Sequence, residues 1–363
     1  MTYASPIFFT SDTRLLMKNI ICFLGLIFGF LSCAFGAEEK RVLIIGNSYT
    51  FYNDLPKTLQ ALSNKTKYPL KVDSYTAGAM SLRGFLDDPS HKKARQLVET
   101  GDYDWLILQD QSQTPAYKPD ETMDSVRRWT EIAQKNGTRV MLFLTWAHAS
   151  TDGGKITPLV TMQEQTSTTY CKAAIANSGK TKIKVAPVGE AWARWYKENP
   201  DKPLHLNDLS HPNAGGTYLA ACVIHASLTG KAVKGIPATL KLDKRSTLSV
   251  PKAMAKEMQA TANAIVKNLT PQGYLDEMQE KDAAMPSAAD IKATLHAGIT
   301  AKELMKLTGK PVHKSAVDNR KTYQFRIRDG AELVAYCNEE GIVENISIAA
   351  PGKPVEIIDV TKL

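Results

Sequence analysis

The sequence predicts an α/β protein, a three-layer α/β/α sandwich on a parallel five-stranded sheet, followed by a small α+β domain. Two observations predict the sandwich. Short apolar runs alternate with amphipathic stretches long enough to be helices, and that alternation demands parallel pairing through crossovers. Every unusual polar residue, moreover, falls just after an apolar run and not before one, on the side where open parallel sheets gather their ligands.

The first run, Val42 to Ile45, consists of β-branched residues and leucine and reads as a strand buried on both faces. Gly46-Asn47 breaks it, which leaves Ser48 at the strand's C-terminal end; the same three residues would also suit a tight turn without chemistry. Leu55, Leu59 and Leu62 recur at helical spacing, with Pro56 tolerated in the first turn. Leu70 to Thr76 alternates as strand two and runs into Ala77-Gly78-Ala79. A helix around Ala94 to Glu99 ends at Gly101, and Trp105 to Leu108 is strand three, delivering Gln109-Asp110-Gln111-Ser112-Gln113. Val126 to Lys135 is helical and closes at Asn136-Gly137. Arg139 to Thr145 is strand four, with Trp146 and His148 just beyond it. A long helix over Leu159 to Asn177, strand five over Ile183 to Val188 and a helix from Trp192 complete the pattern.

The segment from His205 to Tyr218 holds the second cluster of chemistry. Pro212 suits the first position of a helix that Gly230 terminates, so His211 stands at its mouth with Asp208 three residues earlier, within reach of the imidazole. A carboxylate on one ring nitrogen fixes the tautomer and stabilises the imidazolium formed when the other nitrogen takes a proton. Two other readings stand beside this one. Asp208 could cap a turn with His211 on the surface. His205, Asp208 and His211 could hold a metal, although such clusters usually recruit acidic residues after other strands. His225 lies within the apolar helix and reads as a core or edge residue.

Composition narrows the classes. A hydrophobic content of 43% and a charged content of 23% over 363 residues are those of a globular chain with room for two domains. The formal net charge of +8 comes from scattered lysines without interleaved aromatics, so no nucleic-acid partner is expected. Residues 1–36 read as a secretory signal peptide: Arg14 and Lys18 precede an apolar core from Ile20 to Phe30, Met17 is an alternative start, and Ala34 and Gly36 suit cleavage. The run is too short to be preferred as a membrane span, and Cys33 offers a lipidated alternative. Cys171, Cys222 and Cys337 remain, an odd number in separate segments that implies no disulfide framework.

Gly46-Asn47-Ser48 after strand one, Gly78 after strand two, side-chain amides after strand three and Asp208-x-x-His211 before the last helix together resemble the SGNH/GDSL hydrolases over about residues 41–268. The resemblance implies a flavodoxin-like sandwich and a serine esterase: Ser48 as nucleophile, His211 as base, Asp208 orienting it, and the amides of Ser48 and Gly78 as the oxyanion hole, with no cofactor and no metal. This chain departs from the family in the third block. The usual Gly-x-Asn-Asp turn is replaced by Gln-Asp-Gln-Ser-Gln, so a glutamine must supply the third donor if a side chain does. Gln109 and Gln111 are the candidates, Gln111 preferred and Gln113 least favoured. The expected substrate is a small-molecule or glycan ester, a carbohydrate acetyl ester first; lipid or aryl esters are the enzymatic alternative, and a cell-envelope glycan-binding protein that lost catalysis is the non-enzymatic one.

Beyond the turn-rich stretch from Lys231 to Val250, Pro251 to Asn268 reads as a helix, which closes a hydrolase-like domain at residues 37–270. Residues 271–286 read as a linker. Residues 287–363 hold a helix from Ala301 to Leu307 and three short alternating strands, around Tyr323 to Ile327, Leu333 to Cys337 and Val343 to Ile348. This part weakly resembles SmpA/OmlA-like or lactamase-inhibitor-like envelope modules, which implies binding or tethering to the envelope without chemistry of its own.

Overall fold

Val42, Leu43, Ile44 and Ile45 are wholly buried, and their alternation divides them between two cores on opposite faces of one sheet. In this computed structural model, residues 38–363 are described except 153, 180, 318, 351 and 352. The expected signal peptide, with Cys33, lies outside the described residues. The strand that carries Val42 to Ile45, β1 (Lys40–Gly46), pairs in parallel with β2 (Leu70–Thr76) on one side and β3 (Trp105–Leu108) on the other. β4 (Arg139–Leu144) follows β3. The strands β5 (Ala149–Asp152) and β6 (Lys155–Pro158) form a separate hairpin, and β7 (Lys184–Pro187) closes the sheet in the order β2-β1-β3-β4-β7. This is the flavodoxin-like order, and its switch point lies between β1 and β3, where the chain leaves the sheet in opposite directions and a crevice opens.

The two faces are covered as the crossovers require. Helices Leu55–Ser63, Val188–Glu198, Ala214–Thr229 and Lys252–Asn268 pack on the face of Val42 and Ile44. Helices Leu82–Asp87, Lys92–Thr100, Pro119–Lys135 and Val160–Ala176 pack on the face of Leu43 and Ile45. Ala214–Thr229 is apolar nearly all round because it is covered on all sides, by the sheet and by neighbouring helices. Its N-cap is Asn213, whose side chain accepts the Gly216 N–H at 3.0 Å. Because the cap is Asn213, Pro212 lies outside the helix, one residue before the cap and not at the first helical position.

Three further segments differ from expectation. Residues 271–286 are mostly a helix, Pro271–Ala283, capped by Thr270. Tyr274 and Met278, one turn apart, bury against Cys171, while the charges that suggested a linker face outward. The turn-rich stretch contains a short hairpin of β8 (Thr239–Lys241) and β9 (Thr247–Ser249). The C-terminal sheet has five antiparallel strands where three were expected: β10 (His313–Val317), β11 (Arg320–Arg326), β12 (Glu332–Cys337), β13 (Val343–Ala349) and β14 (Glu356–Asp359). The two extra strands are edges with weak apolar alternation. Phe325, Leu333, Val343 and Ile346 from this sheet pack with Ile291 and Leu304 from two helices in a core of their own. Cys171, Cys222 and Cys337 are buried free thiols.

Candidate active site

At the switch point the chain turns sharply after β1. Asn47 caps the short helix Ser48–Phe51, its side chain accepting the Tyr49 N–H at 3.2 Å, so Ser48 stands at that helix's first position. The turn is tight because Gly46 allows it. A Cβ there would fall on the Thr50 hydroxyl and 2.5 Å from Gln109 Oε1.

Ser48 Oγ lies 2.9 Å from His211 Nε2, and His211 Nδ1 lies 2.6 Å from Asp208 Oδ2. Residues 163 positions apart in sequence thus complete a serine–histidine–aspartate chain of contacts. Asp208 Oδ1 accepts the backbone N–H groups of Ser210 and His211 at 3.0 and 2.9 Å, which closes the turn. Partial burial works against its charge, but the His211 backbone and ring and the Ser210 N–H hold the carboxyl below the usual carboxylate range. Between them Leu209 takes a left-handed φ of 62°, a strained conformation for leucine of the kind that collects at functional turns.

Aromatic rings fix the imidazole. Tyr52 stacks on His211 with centroids 4.1 Å apart and planes 13° apart, and Tyr49 meets its edge at 5.9 Å. Tyr49 in turn stacks on Trp146 at 4.4 Å, and Trp146 on Trp192 at 4.0 Å, so the rings beside the site continue into the core. Asn53, in the left-handed region that asparagine tolerates, donates to Pro212 O and Thr217 Oγ1, both at 2.9 Å.

The glutamines separate into different roles. Gln109 is fully buried: its Oε1 accepts the Asn47 N–H and the Thr50 hydroxyl, both at 2.8 Å, and its Nε2 donates to Asn47 Oδ1 at 3.0 Å and to Asp110 O. It braces the turn from beneath, and because both ends of its amide are engaged there it is scaffold and not the oxyanion donor expected of it. Gln111 borders the cleft; its Oε1 takes the N–H groups of Gln113 and Thr114 at 2.7 and 3.1 Å, and its Nε2 makes one long contact, 3.3 Å, to Ser112 Oγ. Gln113 is exposed and outside the cleft lining. Gly78 borders the cleft with nothing within 4 Å of where a Cβ would stand. The N–H groups of Ser48 and Gly78 donate to no protein acceptor among the described residues.

Asp110, unassigned by the sequence reading, ties the two loops together. Its Oδ1 accepts Leu82 N–H and Gln111 N–H at 2.8 Å each, and its Oδ2 accepts the Thr122 hydroxyl at 2.6 Å. Burial pushes this carboxyl up against those donors. His205 is also structural: Tyr196 OH lies 2.7 Å from Nδ1 and Ala147 O lies 3.0 Å from Nε2, so both ring nitrogens are engaged away from Asp208. The sequence reading placed His148 at the correct edge but gave it no partner. Its Nε2 lies 3.0 Å from Ser112 Oγ and 3.2 Å from Ser210 Oγ, and Ser210 Oγ is 3.0 Å from Tyr49 OH. His225, as expected, is buried in its helix, its Nε2 3.3 Å from Tyr68 O.

The cleft above Ser48 has a volume of about 530 Å³ and is lined by aromatic rings and neutral polar groups, with no lysine, arginine or carboxylate among its lining residues. Fold and site together define a class: an open parallel sandwich with a serine–histidine–aspartate triad at the carboxyl edge of its sheet. No family model and no curated relative matches the chain. Solved structures similar to it include a DUF4886 family protein from Bacteroides uniformis, 19% identical over 64% of this chain and 96% of that one, with a TM-score of 0.47. A candidate SGNH hydrolase from Slackia heliotrinireducens is 22% identical over 53% of this chain and all (100%) of that one, with a TM-score of 0.42. A catalytic mutant of Axe2, an acetylxylan esterase from Geobacillus stearothermophilus, is 13% identical over 54% and 95% of the two chains, with a TM-score of 0.38.

Proposed function

We propose that this chain is a secreted serine ester hydrolase acting on neutral carbohydrate esters, acetyl esters foremost. The observation that carries the reading is the contact chain Asp208–His211–Ser48, at 2.6 and 2.9 Å. In this scheme Ser48 Oγ attacks the ester carbonyl while His211 Nε2 takes its proton, and Asp208 stabilises the imidazolium through Nδ1. The tetrahedral oxyanion lies on the Ser48 and Gly78 N–H groups, with Gln111 Nε2 as the third donor. Collapse expels the alkoxide, which His211 protonates, and water then repeats the sequence on the acyl-enzyme to release the acid. The scheme calls on no cofactor.

The uncharged lining of the cleft and the exposed Phe51 beside Tyr52 support a polyhydroxylated alcohol, whose apolar C–H faces suit aromatic rings and whose hydroxyls suit neutral partners. Secretion rests on the N-terminal segment, and attachment to the envelope through residues 287–363 is part of the same proposal. The test is the purified mature chain assayed on p-nitrophenyl esters of increasing acyl length beside acetylated glycans, with Ser48→Ala as control. Acetyl preference and organophosphonate labelling of Ser48 are expected. A preference for long acyl chains moves the assignment to lipid esters, and labelling elsewhere or no turnover at all sinks the serine mechanism in favour of a binding protein.

A further inference from the structure

The cleft has a polar side that the proposed chemistry does not use. It is built from three separate loops: Ser112 after β3, His148 after β4, and Ser210 within the turn that carries the triad's acid and base. His148 Nε2 stands between the two hydroxyls at 3.0 and 3.2 Å. Its Nδ1 has no protein partner among the described residues and is not buried, so it is an accessible ring nitrogen on a residue that borders the cleft. The backbone holds the ring in place: His148 N–H points to Met162 Sδ at 3.3 Å, and the preceding Ala147 is fixed by Gln163 Oε1 on its N–H and by His205 on its carbonyl.

We infer that His148 is a specificity-determining residue that binds, through Nδ1, a hydroxyl on the alcohol part of the substrate next to the scissile ester. The inference rests on the ester-hydrolase reading above and deepens it. A neutral imidazole held by two hydroxyls on one nitrogen presents the other as a single donor or acceptor, which matches one hydroxyl and does not match a carboxylate or phosphate. Burial, followed by the neighbouring His211, keeps His148 below the ordinary imidazole range, with Asp208 opposing, so the neutral form is the one present at neutral pH. Ser112 and Ser210 are arranged to orient the ring: their hydroxyls fix Nε2, and Ser210 in turn is held by Tyr49 OH at 3.0 Å.

Two isosteric esters isolate this contact. 2-Hydroxyethyl acetate and n-propyl acetate differ only by a hydroxyl in place of a methyl group next to the ester. The native enzyme is expected to favour the hydroxyethyl ester in kcat/KM by about tenfold, the worth of one neutral hydrogen bond. His148→Gln places its amide near the position of Nε2 and loses the Nδ1 function, and should bring the ratio to about one. His148→Asn places its amide near Nδ1 and should retain most of the preference. A native ratio near one overturns the proposal, as does an unchanged ratio in His148→Gln or loss of both substrates in equal measure in the two variants, since an equal loss marks His148 as support for the Ser210 turn alone. If the native chain hydrolyses neither ester and Ser48 resists organophosphonate, the hydrolase reading falls and takes this one with it.

Discussion

Gln109 holds Asn47 at both ends: its Oε1 accepts the Asn47 N–H at 2.8 Å and its Nε2 donates to Asn47 Oδ1 at 3.0 Å. The residue before the nucleophile is thereby fixed in backbone and side chain by a single buried amide. Gln109→Ala leaves the Asn47 N–H and the Thr50 hydroxyl without an acceptor in a closed space. Denaturant unfolding should register a loss of about 2 to 4 kcal/mol, and turnover should fall because the turn shifts. A variant as stable as the parent would show that water replaces the amide.

Gln111 calls for a different experiment, because its two ends do different things. Gln111→Glu keeps an oxygen for the Gln113 and Thr114 N–H groups, 2.7 and 3.1 Å from Oε1, and removes the Nε2 donor. Turnover should drop by roughly two to three orders of magnitude with little change in KM, since the charge that donor meets exists only in the transition state. A loss below about tenfold in both this variant and Gln111→Ala would leave the oxyanion to the Ser48 and Gly78 amides alone.

His205 sets an acid limit on stability. Burial lowers its pKa to about 4, against about 6.5 in the unfolded chain. A base whose folded pKa is depressed binds its proton more readily when unfolded, so its contribution to stability is complete above about pH 6.5 and is lost as pH falls towards 4. The loss across that window should approach roughly 3 kcal/mol. Unfolding midpoints followed from pH 7.5 to 4 should fall in the parent, and His205→Gln should flatten that part of the curve; an equal slope in both would place the titration elsewhere.

Dialysis against a strong chelator should leave ester hydrolysis unchanged. Asp208 and His211 are engaged with each other, and both ring nitrogens of His205, the third member of the conceivable metal set, are taken by Tyr196 and Ala147 at 2.7 and 3.0 Å. Loss of activity that zinc restores would turn Asp208 from an orienting residue into a ligand.

The parts legible in the sequence were those written in local patterns. Val42 to Ile45 had to be buried on both faces, and Asp208 could be matched to His211 because a three-residue turn closes that distance by itself. The role of Gln109 was not legible: its position at a strand end is compatible with a side chain turned into the cleft or back beneath the preceding turn, and only the Gly46 gap decides. Ser112, His148 and Ser210 meet from three loops, an encounter that no spacing records. Tyr274 and Met278 were hidden by the charges around them, since a helix with two apolar positions in a polar stretch reads much like a tether.

The attachments of the nucleophile segment also constrain how such a protein can be rebuilt from relatives. Tyr49, Tyr52 and Asn53 all grip the segment that carries His211, through Ser210 at 3.0 Å, the imidazole face at 4.1 Å and Pro212 at 2.9 Å. Ser48 and His211 therefore belong to one structural unit divided between two distant segments of the chain. A chimera whose single crossover falls anywhere between residues 53 and 208 would carry a complete triad and still join two halves that were never fitted to each other. Recombination that exchanges both segments together would keep them matched.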